Sequence, residues 1–147
     1  MKVELNIDPN IKEETVCFML KALTPKMEAL IENLNRSDQS VLVGYIKDEI
    51  TLLDLNEIVL FYTEAGKVYA KNDKGLVFLV KQRLYELEEN LSKDGFIRIA
   101  NSALANANKI RKLKMSVGGS MGIVFKDGTT EFASRRCISK IKNYLGL

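Results

Sequence analysis

The sequence is most informative over residues 96–110, which read FIRIANSALANANKI. The first four residues predict a strand, because three of them are apolar and only Arg98 is charged. Asn101 and Ser102 then predict a turn, since such side chains accept hydrogen bonds from free backbone N–H groups and commonly begin helices. We therefore expect a strand-to-helix corner that carries amide and hydroxyl side chains, with Arg98 close by.

A second polar corner is predicted near the C-terminus. Asp127-Gly128 is a strong two-residue turn signal. Thr130–Ser134 reads as the last strand, and Arg136–Leu145 reads as a helix with apolar residues at helical spacing. This order places a basic pair, Arg135 and Arg136, at the junction of a strand and a helix.

The two segments together resemble the signature of the LytTR DNA-binding domains of bacterial regulators. That signature is an aromatic residue, an Arg, a polar pair ending in Ser, a Leu-Val-like pair and an Asn. The matching residues are Phe96, Arg98, Asn101-Ser102, Leu104-Ala105 and Asn106. Gly128–Arg136 is similar to the family's closing strand and Ser-Arg corner. The resemblance covers roughly residues 41–147, and it implies an elongated set of small β-sheets that inserts loops into DNA.

The pattern along the chain predicts a mostly β (α+β) protein with short flanking helices. Residues 1–40 are expected to form an N-terminal extension of strand, strand and helix that could serve dimerisation. In it, Met1–Asp8 alternates like a half-buried strand, and Glu14–Leu23 fits either a buried strand or a short helix. Thr24-Pro25 starts a helix that polar residues 35–39 end. Residues 41–147 are expected to form the LytTR-type domain, with a further helix over Lys81–Leu91.

Composition excludes several classes of protein. Of the 147 residues 46% are hydrophobic and 28% charged, which is typical of a globular protein. The chain contains no apolar run of bilayer length and no signal-peptide pattern, so we expect a cytoplasmic protein.

Cys17 and Cys137 are expected to be buried free thiols, and the absence of His removes the commonest general base and metal ligand. Gly118–Gly122 reads as a hairpin rather than a phosphate loop. We therefore expect no enzyme, no metal, no cofactor and no small-molecule ligand.

Charge is distributed unevenly. Residues 96–147 contain ten basic and two acidic residues, a net charge of +8, whereas residues 1–95 carry −5. A basic segment of this kind is a plausible footprint for a polyanion. On charge alone, a solvated surface is an equally good interpretation.

The resemblance assigns base readout to two residues. Asn101 matches a family position whose side chain enters a groove, and Arg136 matches the Arg after the final strand. Asn pairs well with adenine and Arg with guanine on the major-groove edge. Without the resemblance, Asn101 would be read as a helix cap and Arg136 as a surface residue.

A larger set is predicted to contact the DNA backbone. These residues are Lys67, Arg98, Ser102, Asn106, Lys109, Arg111, Lys112, Lys114 and Arg135. Their charge or short hydrogen-bond donors suit phosphate contacts, and the basic ones would make binding salt dependent. Two alternatives stay open: Arg98 could tie strand to loop, and Asn106 could hold the turn. The chain departs from the family pattern at Gly66, Ala100 and Ala105, which bears on base preference.

The sequence therefore predicts a transcriptional regulator that binds double-stranded DNA as a homodimer on repeated half-sites, under the control of its abundance or of a regulatory partner protein. The alternative from another class is a protein-interaction module without specific DNA binding. An RNA-binding module ranks third, because the chain has few aromatic residues for stacking on single-stranded bases.

Overall fold

The computed structural model describes residues 1–37 and 41–147. The chain divides into two compact units, Met1–Ser40 and Val41–Leu147. The first unit contains helix α1, Pro25–Ser37. The Thr24 hydroxyl accepts a hydrogen bond from the Met27 N–H at 3.3 Å, so the predicted helix start is confirmed. The helix continues through residues 35–37 of the polar stretch 35–39 that was expected to end it, and residues 38–39 lie outside the described residues.

The strand predicted for Met1–Asp8 is wrong. The segment has no strand partner, and Val3, Leu5 and Ile7 are 81–88% exposed. Alternation favours a strand only where a sheet covers the apolar face. Glu14–Leu23 likewise forms neither of the predicted elements, and Cys17 is exposed rather than buried.

The second unit contains ten strands and two helices. In chain order they are β1 (Val43–Ile46), β2 (Glu49–Leu52), β3 (Ile58–Glu64), β4 (Lys67–Asn72), β5 (Val77–Val80), α2 (Leu84–Leu91), β6 (Phe96–Ala100), β7 (Ala103–Asn106), β8 (Ile110–Met115), β9 (Met121–Phe125), β10 (Thr130–Ala133) and α3 (Arg135–Tyr144). Seven strands form one sheet in the order β2-β1-β5-β4-β3-β7-β6, and three form a second in the order β10-β9-β8. The predicted mostly β architecture with short helices is confirmed.

The centre of the larger sheet is buried on both faces. On one face, Phe61 of β3 and Leu104 of β7 pack with the leucines of α2. On the other face, Leu60 belongs to a second core with Phe125 of β9 and Ile141 of α3. Strands β3, β7 and β6 therefore form a frame from which the connecting turns project.

The helix predicted after Asn101 is wrong. Ala100 pairs with Ala103, so Asn101-Ser102 is a two-residue connection between antiparallel strands β6 and β7. All four residues of Ala103–Asn106 are buried, because β7 lies between β3 and β6. Ala and Leu favour helices in isolation, but burial between two paired strands outweighs that preference here.

Candidate nucleic-acid interface

Three connections meet at one end of the larger sheet. The Thr63 N–H of β3 donates to the Ser102 carbonyl oxygen at 2.9 Å. This bond joins the end of β3 to the β6–β7 turn. The Ser134 N–H donates to the Ile99 carbonyl oxygen at 2.8 Å, which brings the start of α3 beside the same turn. We call this the basic end and define it by Lys67, Asn101, Ser102, Lys114, Arg135 and Arg136.

The β3–β4 hairpin presents Lys67 in a tight turn. Ala65 and Gly66 have φ values of 50° and 76°, and Glu64 pairs with Lys67 across them. Two consecutive left-handed residues are the pattern of a two-residue hairpin turn whose twist matches its strands. Lys67 is exposed and begins β4, so its ammonium group is carried by a rigid hairpin.

Arg98 fixes the shape of the β6–β7 turn. Its Nε donates to the Ala100 carbonyl oxygen at 2.7 Å, and Nη2 donates to the Asn101 carbonyl oxygen at 2.6 Å. Nη1 pairs with Glu88 Oε2 of α2 at 2.8 Å. Because each nitrogen has a partner, the contacts support the alternative that Arg98 ties strand to loop.

Glu88 of α2 pairs with basic side chains from two other elements. Its second oxygen, Oε1, accepts from Lys140 Nζ of α3 at 3.3 Å. One carboxylate thus links α2, β6 and α3 beneath the turn. Helical spacing places Glu88 beside Leu84 and Leu91, but only the tertiary fold brings Arg98 and Lys140 to it.

The first turn of α3 carries two exposed cations. Ser134 precedes the helix, and Arg135 and Arg136 are its first residues. The first turn contains no acidic residue, and within residues 41–147 neither arginine has an ion pair. Both guanidinium groups are therefore available to an anionic partner.

The basic residues of β8 are spread along an edge strand. Arg111, Lys112 and Lys114 are exposed. Met115 and Ala133 both pair with Met121, so the end of β8 lies level with the end of β10, just before α3. Lys114 therefore lies at the basic end, whereas Arg111 lies toward the other end of β8.

Lys109 is not at the basic end. It follows β7 and pairs with Asp73 Oδ2 at 3.2 Å. Asp73 comes directly after β4, whose last residue pairs with Ile58 at the start of β3. The structure thus places Lys109 at the opposite end of the sheet from Asn101.

Asn106 lies in the interior and is 3% exposed. Its amide Nδ2 donates to the Ile58 carbonyl oxygen at 2.8 Å, and its Oδ1 accepts from the Asn108 N–H at 3.1 Å. The predicted phosphate contact does not fit this position, because a buried and partnered amide cannot reach a ligand. The open alternative, that Asn106 holds the turn, agrees with the contacts.

Tyr62 stacks on Tyr69 below the β3–β4 hairpin, with ring centroids 5.6 Å apart. Burial, followed by the nearby Glu64 carboxylate, raises the pKa of Tyr62 above its ordinary value of 10.0. The stability linked to this group is complete below pH 10 and falls as the pH rises through the higher folded-state pKa. The phenol is thus neutral at physiological pH.

No group of His, Cys, Asp and Glu side chains in residues 1–37 and 41–147 is arranged to hold a metal ion. None of the helices in these ranges has the length and apolarity that a bilayer crossing requires.

Comparison with known proteins finds a matching family and related regulators. The sequence profile of the LytTr DNA-binding domain matches residues 48–146. The chain is 33% identical over 150 residues to an uncharacterized HTH-type transcriptional regulator of Staphylococcus aureus strain COL, covering 100% of this chain and 99% of that protein. A regulator of the same description from strain MSSA476 is 32% identical with the same coverage.

A solved structure shares the fold. The LytTr DNA-binding domain of a Bacillus cereus protein superposes on this chain with a TM-score of 0.68 at 21% identity. The superposition covers 74% of this chain and 99% of that domain.

Proposed function

The chain belongs to the LytTr DNA-binding domain family, and we propose that it is a cytoplasmic transcription regulator that reads specific sequences in double-stranded DNA through the turns of its basic end. The supporting observation is that the two bonds Thr63–Ser102 and Ser134–Ile99 hold the β6–β7 turn beside β3 and α3. Exposed Asn101 and Arg136 project from neighbouring turns of one frame.

In this proposal the two residues read bases and the cations position the duplex. Asn101 would pair with adenine and Arg136 with guanine on the major-groove edge. Lys67, Ser102, Lys114 and Arg135 would contact phosphate oxygens, which set register without carrying sequence information. Arg98 acts through the turn that it holds, and Arg111 and Lys112 add general attraction along β8.

A binding titration tests the function. Labelled duplex DNA, single-stranded DNA and duplex RNA of one sequence would be titrated with the full chain over a salt series. We expect the duplex DNA to bind most tightly, with log K falling linearly with log salt. Tighter binding of duplex RNA or single-stranded DNA, or an affinity that does not change with salt, would contradict the proposal. The alternative function, a protein-interaction module, would then be favoured.

We further propose that Met1–Ser40 mediates homodimerisation. Large apolar side chains are exposed along this unit, and they include Val3, Leu5, Ile7, Ile11, Val16, Met19 and Leu23. Exposed apolar surface of this extent is typical of an interaction site. One small module also reads few bases, so two copies on repeated half-sites would raise specificity.

Sedimentation of the full chain tests the dimer. We expect a dimer for the wild type and a monomer for a Leu5→Asp, Ile7→Asp double variant, because two buried carboxylates at an apolar interface are costly. A wild type that stays monomeric at the concentrations used for DNA binding would refute this part of the proposal. In that case the exposed unit would suit a regulatory partner protein.

A further inference from the structure

A cleft beside the basic end has no assigned role. Its volume is about 590 Å³, and it lies between the β3–β4 hairpin, the end of β5 and the start of α2. Its cationic lining residues are Lys67, Lys81, Arg83 and Arg98. None of the described residues that line it is acidic.

The cations of this cleft differ in how they are held. The three guanidinium nitrogens of Arg98 are engaged by Ala100, Glu88 and Asn101. Lys81 Nζ lies 4.8 Å from the centroid of the Tyr45 ring, a contact that positions the ammonium group without neutralising it. Within the described part of the chain, Arg83 and Lys67 have no ion pair.

The lining strengthens attraction for an anion. Val68, Leu79 and Leu84 form apolar walls next to these charges. A cleft with low-dielectric walls and charge of one sign concentrates the electric field and favours an oppositely charged ligand. A volume of about 590 Å³ is larger than one phosphate group needs, so it suits a length of sugar–phosphate chain.

The cleft is continuous with the basic end. It shares Gly66 and Lys67 with the β3–β4 hairpin, and Arg98 in its wall bonds to the Asn101 carbonyl oxygen. An anion held there would therefore lie beside the turn that carries Asn101. This continuity favours the backbone of the bound duplex over a free anion as the occupant.

We propose that this cleft is a phosphodiester-binding site in which Lys81 and Arg83, with Lys67, hold the DNA backbone next to the bases that the turns read. The inference rests on the proposed function and extends it to two residues outside the family-like motifs. Lys81 and Arg83 add affinity and register but no base preference, because phosphate contacts carry no direct sequence information.

The first test compares two double variants with equal loss of charge. Lys81→Gln, Arg83→Gln removes the cleft cations, whereas Lys74→Gln, Lys93→Gln removes two exposed cations at the opposite end of the sheet. We expect the cleft variant to bind the selected duplex roughly tenfold more weakly and its salt slope to fall by about 1 to 2, since each phosphate contact contributes about 0.9. The control should change by less than about twofold.

A second test locates the phosphate. Single methylphosphonate substitutions would be placed along both strands of the duplex, and affinity would be measured for the wild type and the cleft variant. We expect a substitution that weakens the wild type but costs the cleft variant nothing further. Absence of any such position would overturn the proposal.

The outcomes separate the two proposals. If the wild type binds no duplex, the proposed function fails and the cleft assignment fails with it. If the wild type binds duplex DNA and the two double variants lose affinity equally, only the cleft assignment fails. Tighter binding of inorganic pyrophosphate than of a short duplex, lost in the cleft variant, would also overturn it in favour of a free anion.

Discussion

At the residue scale, the β6–β7 turn depends on a side chain that does not face the proposed ligand. Glu88 accepts from Arg98 and from Lys140, and Arg98 in turn holds the carbonyl oxygens of Ala100 and Asn101. Hydrogen bonds between charged groups are stronger than neutral ones. The position of Asn101 is therefore set by a carboxylate on α2.

Replacing that carboxylate should weaken specific binding from a distance. Glu88→Gln removes the charge that pairs with Arg98 and Lys140 and weakens their hold on the turn. We therefore expect affinity for the selected duplex to fall about fivefold, or roughly 1 kcal/mol. Glu89→Gln is the matched control, because this substitution removes the same charge and Glu89 is an exposed residue of the same helix. Fluorescence anisotropy would measure both, and equal affinities for the two variants would contradict the account.

Asn106 provides the opposite case, a signature residue whose role is internal. Asn106→Ala leaves the Ile58 carbonyl oxygen and the Asn108 N–H without their side-chain partners. We expect the free energy of unfolding in urea to fall by about 2 kcal/mol, while the folded protein keeps its DNA affinity within twofold. Asn108→Ala is the control, because Asn108 is exposed, and we expect it to change the free energy of unfolding little. A loss of DNA affinity without a loss of stability would contradict this role and would indicate that Asn106 contacts DNA.

At the element scale, the sequence predicted a strand correctly where a clear turn signal bounds it, whereas the alternation of Met1–Asp8 alone gave a wrong strand. The turn at Asp127-Gly128 before β10 is an example, since its local chemistry specifies the turn. Prediction failed for β7, whose residues are buried by pairing with β3 and β6 rather than by any local pattern. Local patterns also did not predict the Glu88–Arg98 pair or the grouping of the cleft cations, because these residues come from elements distant in the chain.

The arrangement of elements also differs from a helix-turn-helix. The names of the Staphylococcus aureus relatives contain the term HTH-type, but in the described chain five strands separate α1 from α2 and five separate α2 from α3. No two of these helices are joined by a short turn. DNA recognition in this chain is therefore proposed through turns and the start of α3, not through a helix pair.

Packing of β1 against β5 offers a test of the larger sheet. A Cβ added at Gly44 would lie 2.7 Å from Phe78 Cβ and 2.9 Å from Leu53 Cδ2. Because Phe78 Cβ is fixed to its backbone, we expect Gly44→Ala to lower the free energy of unfolding by about 2 kcal/mol. Gly118→Ala is the control, since nothing lies within 4 Å of its added Cβ. Equal urea midpoints for the two variants would show that the sheet is packed differently.

At the scale of the whole molecule, charge is the property that links fold to function. The ten basic residues of residues 96–147 are divided among the basic end, strand β6, the edge strand β8, helix α3 and the opposite end of the sheet. Those at the basic end lie around the exposed Asn101-Ser102 turn. Sequence composition predicted the excess charge, whereas the sheet register shows which charges share an end.

Binding should be insensitive to pH near neutrality. The chain has no His, the side chain that ordinarily titrates in this range, and the raised pKa keeps Tyr62 neutral. We expect affinity for the selected duplex to vary by less than about twofold between pH 6.0 and 7.5 at constant ionic strength. A larger change would mean that a carboxylate or another group titrates at the interface.

The central claim, sequence-specific readout by the basic end, is tested most directly by selection from a random duplex library at moderate salt. Wild type, Arg136→Ala and the charge control Lys93→Ala would be compared. We predict that the wild type and Lys93→Ala enrich one repeated motif, and that Arg136→Ala loses it while retaining weak, salt-sensitive binding. Enrichment of the same motif by all three proteins would contradict base readout by Arg136, and no motif from the wild type would contradict specific recognition itself.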